Sequence, residues 1–206
     1  MKKFITTQAI QSSSSAALLG IFTASANAAV LQFQFSGIVE DVPAILASEF
    51  TAGETITGIF SVNTTLNGFL NYDASGLSLS IGGDYGVTGQ VGSLSIGNGS
   101  GGGPDSFHAS FDGPLTGAVV NGRAPVEFDL SLLLPGTAFS SVAVPLSIPL
   151  GNALSTLSSI DFAPLDEDTL TFRVNSVVAV PEPALVGMLG AGGLLLASCR
   201  RRRVGD

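Results

Sequence analysis

The sequence has few of the residues that most often carry chemistry. Its 206 residues include one cysteine, Cys199, one histidine, His108, and no tryptophan. A single cysteine excludes an intramolecular disulfide. One histidine and one cysteine cannot supply the three or four nitrogen and sulfur ligands of a zinc site. Disulfide scaffolds and zinc enzymes are therefore excluded.

Positive charge is scarce between residues 29 and 180, where only Arg123 and Arg173 are basic. The same stretch holds every carboxylate of the chain except Glu182 and Asp206. An anionic surface of this kind repels phosphate backbones, so no nucleic-acid partner is expected. The carboxylates are interpreted as the solvated surface of an exported protein.

The N-terminus has the three parts of a secretory signal peptide. A positive start at residues 1–3 and an apolar stretch at residues 16–24 precede an A-x-A sequence at Ala26 and Ala28. This pattern predicts a signal helix that is cleaved after Ala28, with a cut after Ala26 as the second choice. It implies the Sec translocon and signal peptidase as partners.

The C-terminus predicts a membrane anchor with a defined orientation. Residues 184–199 carry no charge, and they are close to the minimum of roughly 17–25 residues for a helix that crosses a bilayer. Four arginines follow directly: Arg200, Arg201, Arg202 and Arg203. Positive charge stays on the cytoplasmic side, which places the acidic body outside. A buried core helix that ends in a basic turn is the alternative.

The residues before this segment add a resemblance. Pro181, Glu182 and Pro183, followed by the apolar segment and the arginine cluster, resemble the PEP-CTERM protein-sorting signal of Gram-negative bacteria. The resemblance implies that an exosortase, a membrane-embedded transpeptidase-like enzyme, recognises the Pro-Glu-Pro sequence. It also implies that the helix is a temporary anchor, in bacteria that make extracellular polysaccharide.

The chain between the two ends alternates between apolar and polar residues in short segments separated by turn residues. The segments lie at residues 31–35, 56–62, 77–81, 94–96, 107–111, 126–132 and 170–178. Period-2 alternation predicts antiparallel strands, and sheets with one polar face must bury the other. We therefore expect an all-β, jelly-roll-like antiparallel β-sandwich, with a closed barrel as the competitor. The predicted organisation is a signal peptide at 1–28, an extracytoplasmic β domain at 29–179 and a sorting signal at 180–206.

His108 is the natural starting point of a search for a catalytic site. A serine–histidine–aspartate triad would combine it with Ser106 or Ser110 and with Asp105 or Asp112. No Gly-x-Ser-x-Gly elbow accompanies these residues. The pattern favours a surface histidine.

Two groups of carboxylates could carry other chemistry. Asp166, Glu167 and Asp168 form a cluster that could bind calcium, and residues 101–105 match part of a calcium-binding glycine repeat. An acidic hairpin turn is the simpler interpretation of that cluster. No cofactor is assigned, and calcium remains the one cation to consider.

Glu127 and Asp129 share one face of a predicted strand. Glycoside hydrolysis needs two carboxyl groups roughly 5–10 Å apart in a cleft, but solvated strands commonly carry such pairs. No tryptophan is present to stack on a sugar ring, and Tyr72 and Tyr85 are the only tyrosines. No catalytic residue is assigned.

Together these observations predict a non-enzymatic cell-surface or extracellular-matrix protein. We expect it to be held at the inner membrane with its body outside the cytoplasm, and to reach the cell surface or the medium after processing. Extracellular polysaccharide is a candidate partner. A carbohydrate- or calcium-binding adhesive module is the alternative, and a secreted hydrolase is a third. An exposed aromatic face would favour the adhesive module, and a deep cleft holding His108 with two carboxylates would favour the hydrolase.

Overall fold

The computed structural model describes residues 30–67, 71–99, 101–163 and 168–180. The described chain is built from strands and one short 3-10 helix. The elements are β1 Val30–Asp41, β2 Thr55–Leu66, β3 Tyr72–Ile81, β4 Tyr85–Gly89, β5 Gly92–Gly97, β6 Asp105–Phe111, β7 Leu115–Gly117, β8 Pro125–Leu134, the 3-10 helix Leu150–Asn152, β9 Leu157–Phe162 and β10 Asp168–Val180.

All strand pairs are antiparallel, and most of the strands form a closed ring. The order is β1–β2–β3–β5–β6–β8–β9–β10, and β10 pairs back with β1. On one edge of β3, residues 72–74 pair with β5, whereas residues 77–81 pair with β4, which in turn pairs with β7. The all-β antiparallel prediction is confirmed. The hydrogen bonding closes a barrel, the competitor of the expected sandwich, because the β2–β3 pairing joins the two edges that a sandwich would leave open.

Phenylalanine fills the barrel interior. Alternation along β1 turns Phe33 and Phe35 inward, where Phe35 lies 5.4 Å from Phe128 between ring centroids. Phe128 lies 6.0 Å from Phe172 in a stacked arrangement. Every phenylalanine and tyrosine among the described residues is buried. The apolar residues of the alternating segments thus pack into one core.

Gly58 occupies an inward-facing position of β2 without a side chain. It is the direct partner of Phe35 on β1. A Cβ added at Gly58 would overlap the Phe35 ring. The glycine in the apolar half of this strand therefore leaves room for the aromatic ring on the neighbouring strand.

Two of the register irregularities change which side chains of β8 and β10 face the core. A register shift between Pro125 and Glu127 in the β8–β9 pairing leaves Val126 only partly buried, contrary to the apolar pattern of that segment. A second shift in the β1–β10 pairing leaves Asn175 as an extra residue, after which Val177 is buried. Bulges of this kind re-aim side chains without ending the strand.

The strands β4, β7 and β9 had no clear sequence signal. β4 and β7 are short, and β9 begins Leu157-Ser158-Ser159, where a buried serine stands at an inward position. The predicted turns are present at Gly82-Gly83 and at Asn121-Gly122, whose φ angles are positive. Glycine and asparagine tolerate that conformation.

The barrel has two distinct ends. β1 begins and β10 ends at the same one, because Gln32 pairs with Val180. We call it the termini end, and the opposite one, which carries the connections 42–54 and 118–124, the far end. Since strands alternate in direction around the ring, β8 also ends at the termini end, and β9 and β3 begin there.

The connection 135–156 crosses the termini end. The Tyr72 hydroxyl donates a hydrogen bond to the Val142 carbonyl at 2.8 Å. Ser147 then forms a bridge with Val178, and Leu133 N donates to Ser155 O at 2.9 Å. The connection buries Phe139 and Ile148, so that it closes the barrel at this end.

Candidate functional site

A group of interacting ionisable side chains lies on the outer face of β6, β8 and β9. Outward positions of β6 carry His108 and Ser110, and those of β8 carry Glu127 and Asp129. The register places Ser110 opposite Asp129. Strand alternation therefore assembles a polar surface from three strands that are well separated in sequence.

His108 and Asp129 form an ion pair across two strands. His108 Nε2 lies 3.0 Å from Asp129 Oδ1, and the side chains are 43% and 26% exposed. The hydrogen bond with Asp129 raises the pKa of His108, partly opposed by burial, with smaller contributions from the charges of Asp129 and Glu127. The same bond lowers the pKa of Asp129 against its burial, helped by the Ser110 hydroxyl. The pair is a half-exposed contact between groups that favour opposite charges.

Glu127 lies in an acidic environment beside this pair. Burial raises its pKa most, followed by the nearby carboxylate of Asp129 and the charges of Asp161 and Asp112. Glu127 is the cross-strand partner of Asp161. Asp161 is only 7% exposed, and its buried Oδ1 has no hydrogen-bond partner in the part of the chain that the structure describes. Burial and the crowded carboxylates therefore both disfavour the charged form of Glu127.

An open groove of about 400 Å³ lies next to the ion pair. Most of its side chains are hydroxyls. It is lined by His108, Asp129, Ser131, Leu157, Ser158, Ser159, Thr169 and Thr171. Such a surface offers several hydrogen-bond donors and acceptors and a single large apolar side chain.

The structure does not assemble the triad considered from the sequence. The partner of His108 is Asp129, and Ser110 hydrogen-bonds to that same aspartate. Asp105 is engaged at the termini end, and Asp112 acts on Glu127. The deep cleft that would have favoured a hydrolase is replaced by an open groove. Glu127 and Asp129 do share one face, as predicted.

Asp105 has a structural role that the sequence did not indicate. Its side chain is fully buried, with Oδ2 accepting from Phe139 N and Oδ1 from Gly99 N, both at 2.6 Å. The bond from Phe139 lowers its pKa most, followed by that from Gly99, against the cost of burial. Asp105 thus joins the glycine-rich loop to the connection 135–156. Its oxygens face N–H donors, which disfavours a cation at the glycine repeat of residues 101–105.

The acidic cluster at Asp166, Glu167 and Asp168 is described only at Asp168. Asp168 Oδ2 lies 2.8 Å from Arg123 Nε, so the two side chains form an ion pair. The contact does not have the geometry of a hydrogen bond. Asp166 and Glu167 lie outside the described ranges. Within those ranges, no three histidine, cysteine, aspartate or glutamate side chains converge to hold a metal ion. The Arg123–Asp168 pair joins residues far apart in sequence, so no local pattern could have identified it.

The predicted targeting elements fall outside the described part of the chain. These are the cleavage residues Ala26 and Ala28, the sorting motif at 181–183, the apolar segment 184–199 and the arginines 200–203. Among the described residues, no helix has the length and apolar character needed to cross a bilayer. β10 reaches Val180, the residue directly before the sorting motif.

Comparison with known proteins adds no assignment. No protein-family model matches the chain, and neither a curated protein nor a solved structure is significantly similar to it.

Proposed function

We propose that this chain is a non-enzymatic, exported protein of the cell surface or the extracellular matrix. Its signal peptide directs it through the Sec translocon, and the segment 184–199 holds it in the inner membrane with its body outside the cytoplasm. An exosortase-type enzyme then recognises Pro181, Glu182 and Pro183 and releases it toward the surface, in association with extracellular polysaccharide. The export and anchoring steps rest on the sequence patterns at the two ends.

One structural observation supports a surface role for the body. All aromatic side chains of the described residues point into the core, and the outer strand faces are mainly serine, threonine and carboxylates. A barrel filled with phenylalanine rings has its interior occupied by its own side chains. Interaction through the polar outer surface is the function that this distribution supports best.

The same distribution weakens the first alternative. Sugar-binding sites commonly use an exposed aromatic ring as a stacking platform, and every described aromatic side chain is buried. Within the described part of the chain, the hydroxyl-lined groove beside His108 is a surface that favours a carbohydrate-binding module. There Asp129 would accept hydrogen bonds from sugar hydroxyls, and the hydroxyls of Thr169 and Thr171 would donate or accept them.

The mass of the mature protein tests the proposed route. We expect the species released into the medium to begin near Ala29 and to end near Pro181 or Glu182. A Glu182→Ala variant should stay in the membrane fraction, whereas Glu40→Ala, a matched change of an exposed glutamate, should be released normally. A released species that still ends at Asp206 would contradict processing. Recovery of the whole chain from the cytosol would contradict export.

The groove has its own test. Titration of the purified protein with polysaccharide from the producing cells, followed by calorimetry, should show heat that Asp129→Asn removes if the groove binds sugar. A heat signal that is absent, or that Asp129→Asn does not change, would contradict carbohydrate binding in the groove.

A further inference from the structure

The two ends of the barrel differ in charge. Arg123 and most of the described carboxylates lie at the far end or on its connections. Those carboxylates are Glu40, Asp41, Glu49, Glu54, Asp84, Asp112, Glu127, Asp161 and Asp168. At the termini end the described carboxylates are Asp73 and the buried Asp105.

The termini end exposes more large apolar side chains than the far end, where Val119 and Ile45 are exposed. Leu146 and Leu154, both on the connection 135–156, are 69% and 62% exposed. Val178, which is paired through Ser147 to that connection, and Val142 are about half exposed. Clustered apolar exposure at one end of a soluble domain marks a contact surface.

The length of chain between this end and the apolar segment limits what the surface can contact. Val180 ends β10 and Ala184 begins the apolar segment. Four residues extend at most about 14 Å. The headgroup layer on each side of a bilayer is itself roughly 5–8 Å thick. If the segment 184–199 spans the bilayer, the end of β10 therefore lies at most about 6–9 Å beyond the outer edge of the headgroup layer, which brings the termini end close to the headgroups.

We propose that the termini end is a membrane-contact surface that rests on the bilayer before processing, with Leu146, Leu154 and Val178 among the headgroups. This inference rests on the anchor of the proposed function. In this orientation the acidic far end points away from the membrane. This arrangement is favourable because anionic lipid headgroups repel carboxylates. The contact holds the Pro-Glu-Pro sequence at the bilayer surface, where a membrane-embedded enzyme can reach it.

Lipid quenching in reconstituted vesicles tests the proposal. The full chain carries one cysteine, so Leu146→Cys and Val119→Cys can each be labelled on a Cys199→Ser background. Val119 is the matched control, because it is 63% exposed but lies on a far-end connection. Vesicles of phosphatidylethanolamine and phosphatidylglycerol would carry lipids spin-labelled near the headgroup.

We expect a fluorophore at position 146 to be quenched severalfold more than one at position 119. Its emission should also shift to the blue, as for apolar side chains buried roughly 5–10 Å into the interface. Equal quenching at the two positions would overturn the proposal. So would a fluorophore at 146 that is shielded only by a second protein copy, because the surface would then be a dimer contact.

A fluorophore on native Cys199 distinguishes this inference from the proposed function. Quenching of Cys199 together with position 146 supports both. Quenching of Cys199 without position 146 overturns only the membrane-contact surface. No quenching of Cys199 overturns the anchor and, with it, the inference that depends on it.

Discussion

The termini end and the far end of the barrel are built from the same strands but have opposite surfaces. The far end is acidic and is tied by polar contacts such as Asn121 Nδ2 to Ile45 O at 2.7 Å. The termini end is closed by the connection 135–156 and exposes Leu146 and Leu154. Because the same strands pass through both ends, the difference resides in the connections and in the strand residues nearest each end. The shared core should therefore respond as one unit, and each end should respond to changes in its own contacts.

The largest effect is expected in the core that both ends share. Phe128→Ala removes ring contacts to Phe35, Phe111 and Phe172, and a buried Phe→Ala change costs about 3–5 kcal/mol of unfolding free energy. Denaturant unfolding measures the loss, and Val119→Ala, on the surface, should cost at most about 0.5 kcal/mol. Similar losses for the two variants would mean that the ring stack does not hold the barrel together.

A smaller loss is expected when the core is overfilled. Gly58→Ala forces a methyl group against the Phe35 ring, which should cost about 1–3 kcal/mol. Gly101→Ala is the control, because a Cβ at Gly101 meets no atom within 4 Å. Thermal melting of the two variants compares them directly. Equal melting temperatures would show that the Phe35 ring moves aside without cost.

The two tyrosines separate the ends. Tyr72 donates to Val142 O at the termini end, and Tyr85 donates to Ala118 O at 2.6 Å at the far end. Tyr72→Phe and Tyr85→Phe should each cost about 1 kcal/mol. Each variant keeps one tyrosine, whose fluorescence reports the opposite end. The two unfolding midpoints should agree between fluorescence and circular dichroism, and a disagreement would show that one end opens before the barrel unfolds.

Alkaline pH distinguishes the same two variants. Burial, and to a lesser degree the charge of Glu49, raises the pKa of Tyr85 to about 12 from 10.0. A raised folded-state pKa gives stability that is present below pH 10 and is lost as the pH rises toward 12. The wild type and Tyr72→Phe should lose stability over this interval, and Tyr85→Phe should lose less. Parallel curves for all three proteins would contradict the burial of the Tyr85 hydroxyl.

The smallest effect is expected at the His108–Asp129 pair. The folded-state pKa of His108 is raised, so its stabilisation is complete below the ordinary value of 6.5 and is lost as the pH rises through the folded-state value. The side chain is 43% exposed, which limits the contribution to less than about 1 kcal/mol. His108→Gln should flatten the decline in stability above pH 6.5. A variant whose pH profile parallels the wild type would show that the pair does not form.

More of the individual strands could be predicted from the sequence than of the pairing that closes them into a ring. Inward positions such as Phe33, Phe107 and Phe172 follow from alternation, because period 2 is a property of each strand alone. The closing β2–β3 pairing and the separate β4–β7 extension depend on contacts between strands, which no local pattern encodes. β9 was not predicted because Ser158 occupies one of its inward positions, where the alternating pattern requires an apolar residue.

The candidate site was predicted only in part. Glu127 and Asp129 were placed together because they are two residues apart on one strand. The contact of His108 with Asp129 depends on the register between β6 and β8, with β7 between them in the chain. The contrast between the ends became visible only once strand directions assigned each connection to an end.

Hydrogen exchange of the full chain in vesicles tests the orientation of the barrel most directly. Amides of residues 142–147, on the connection across the termini end, should exchange more slowly in vesicles than in the released form. Amides of residues 118–122, at the far end, should exchange at the same rate in both. Protection at 118–122, or equal exchange of both segments in the two states, would contradict a barrel that rests on the membrane by its termini end.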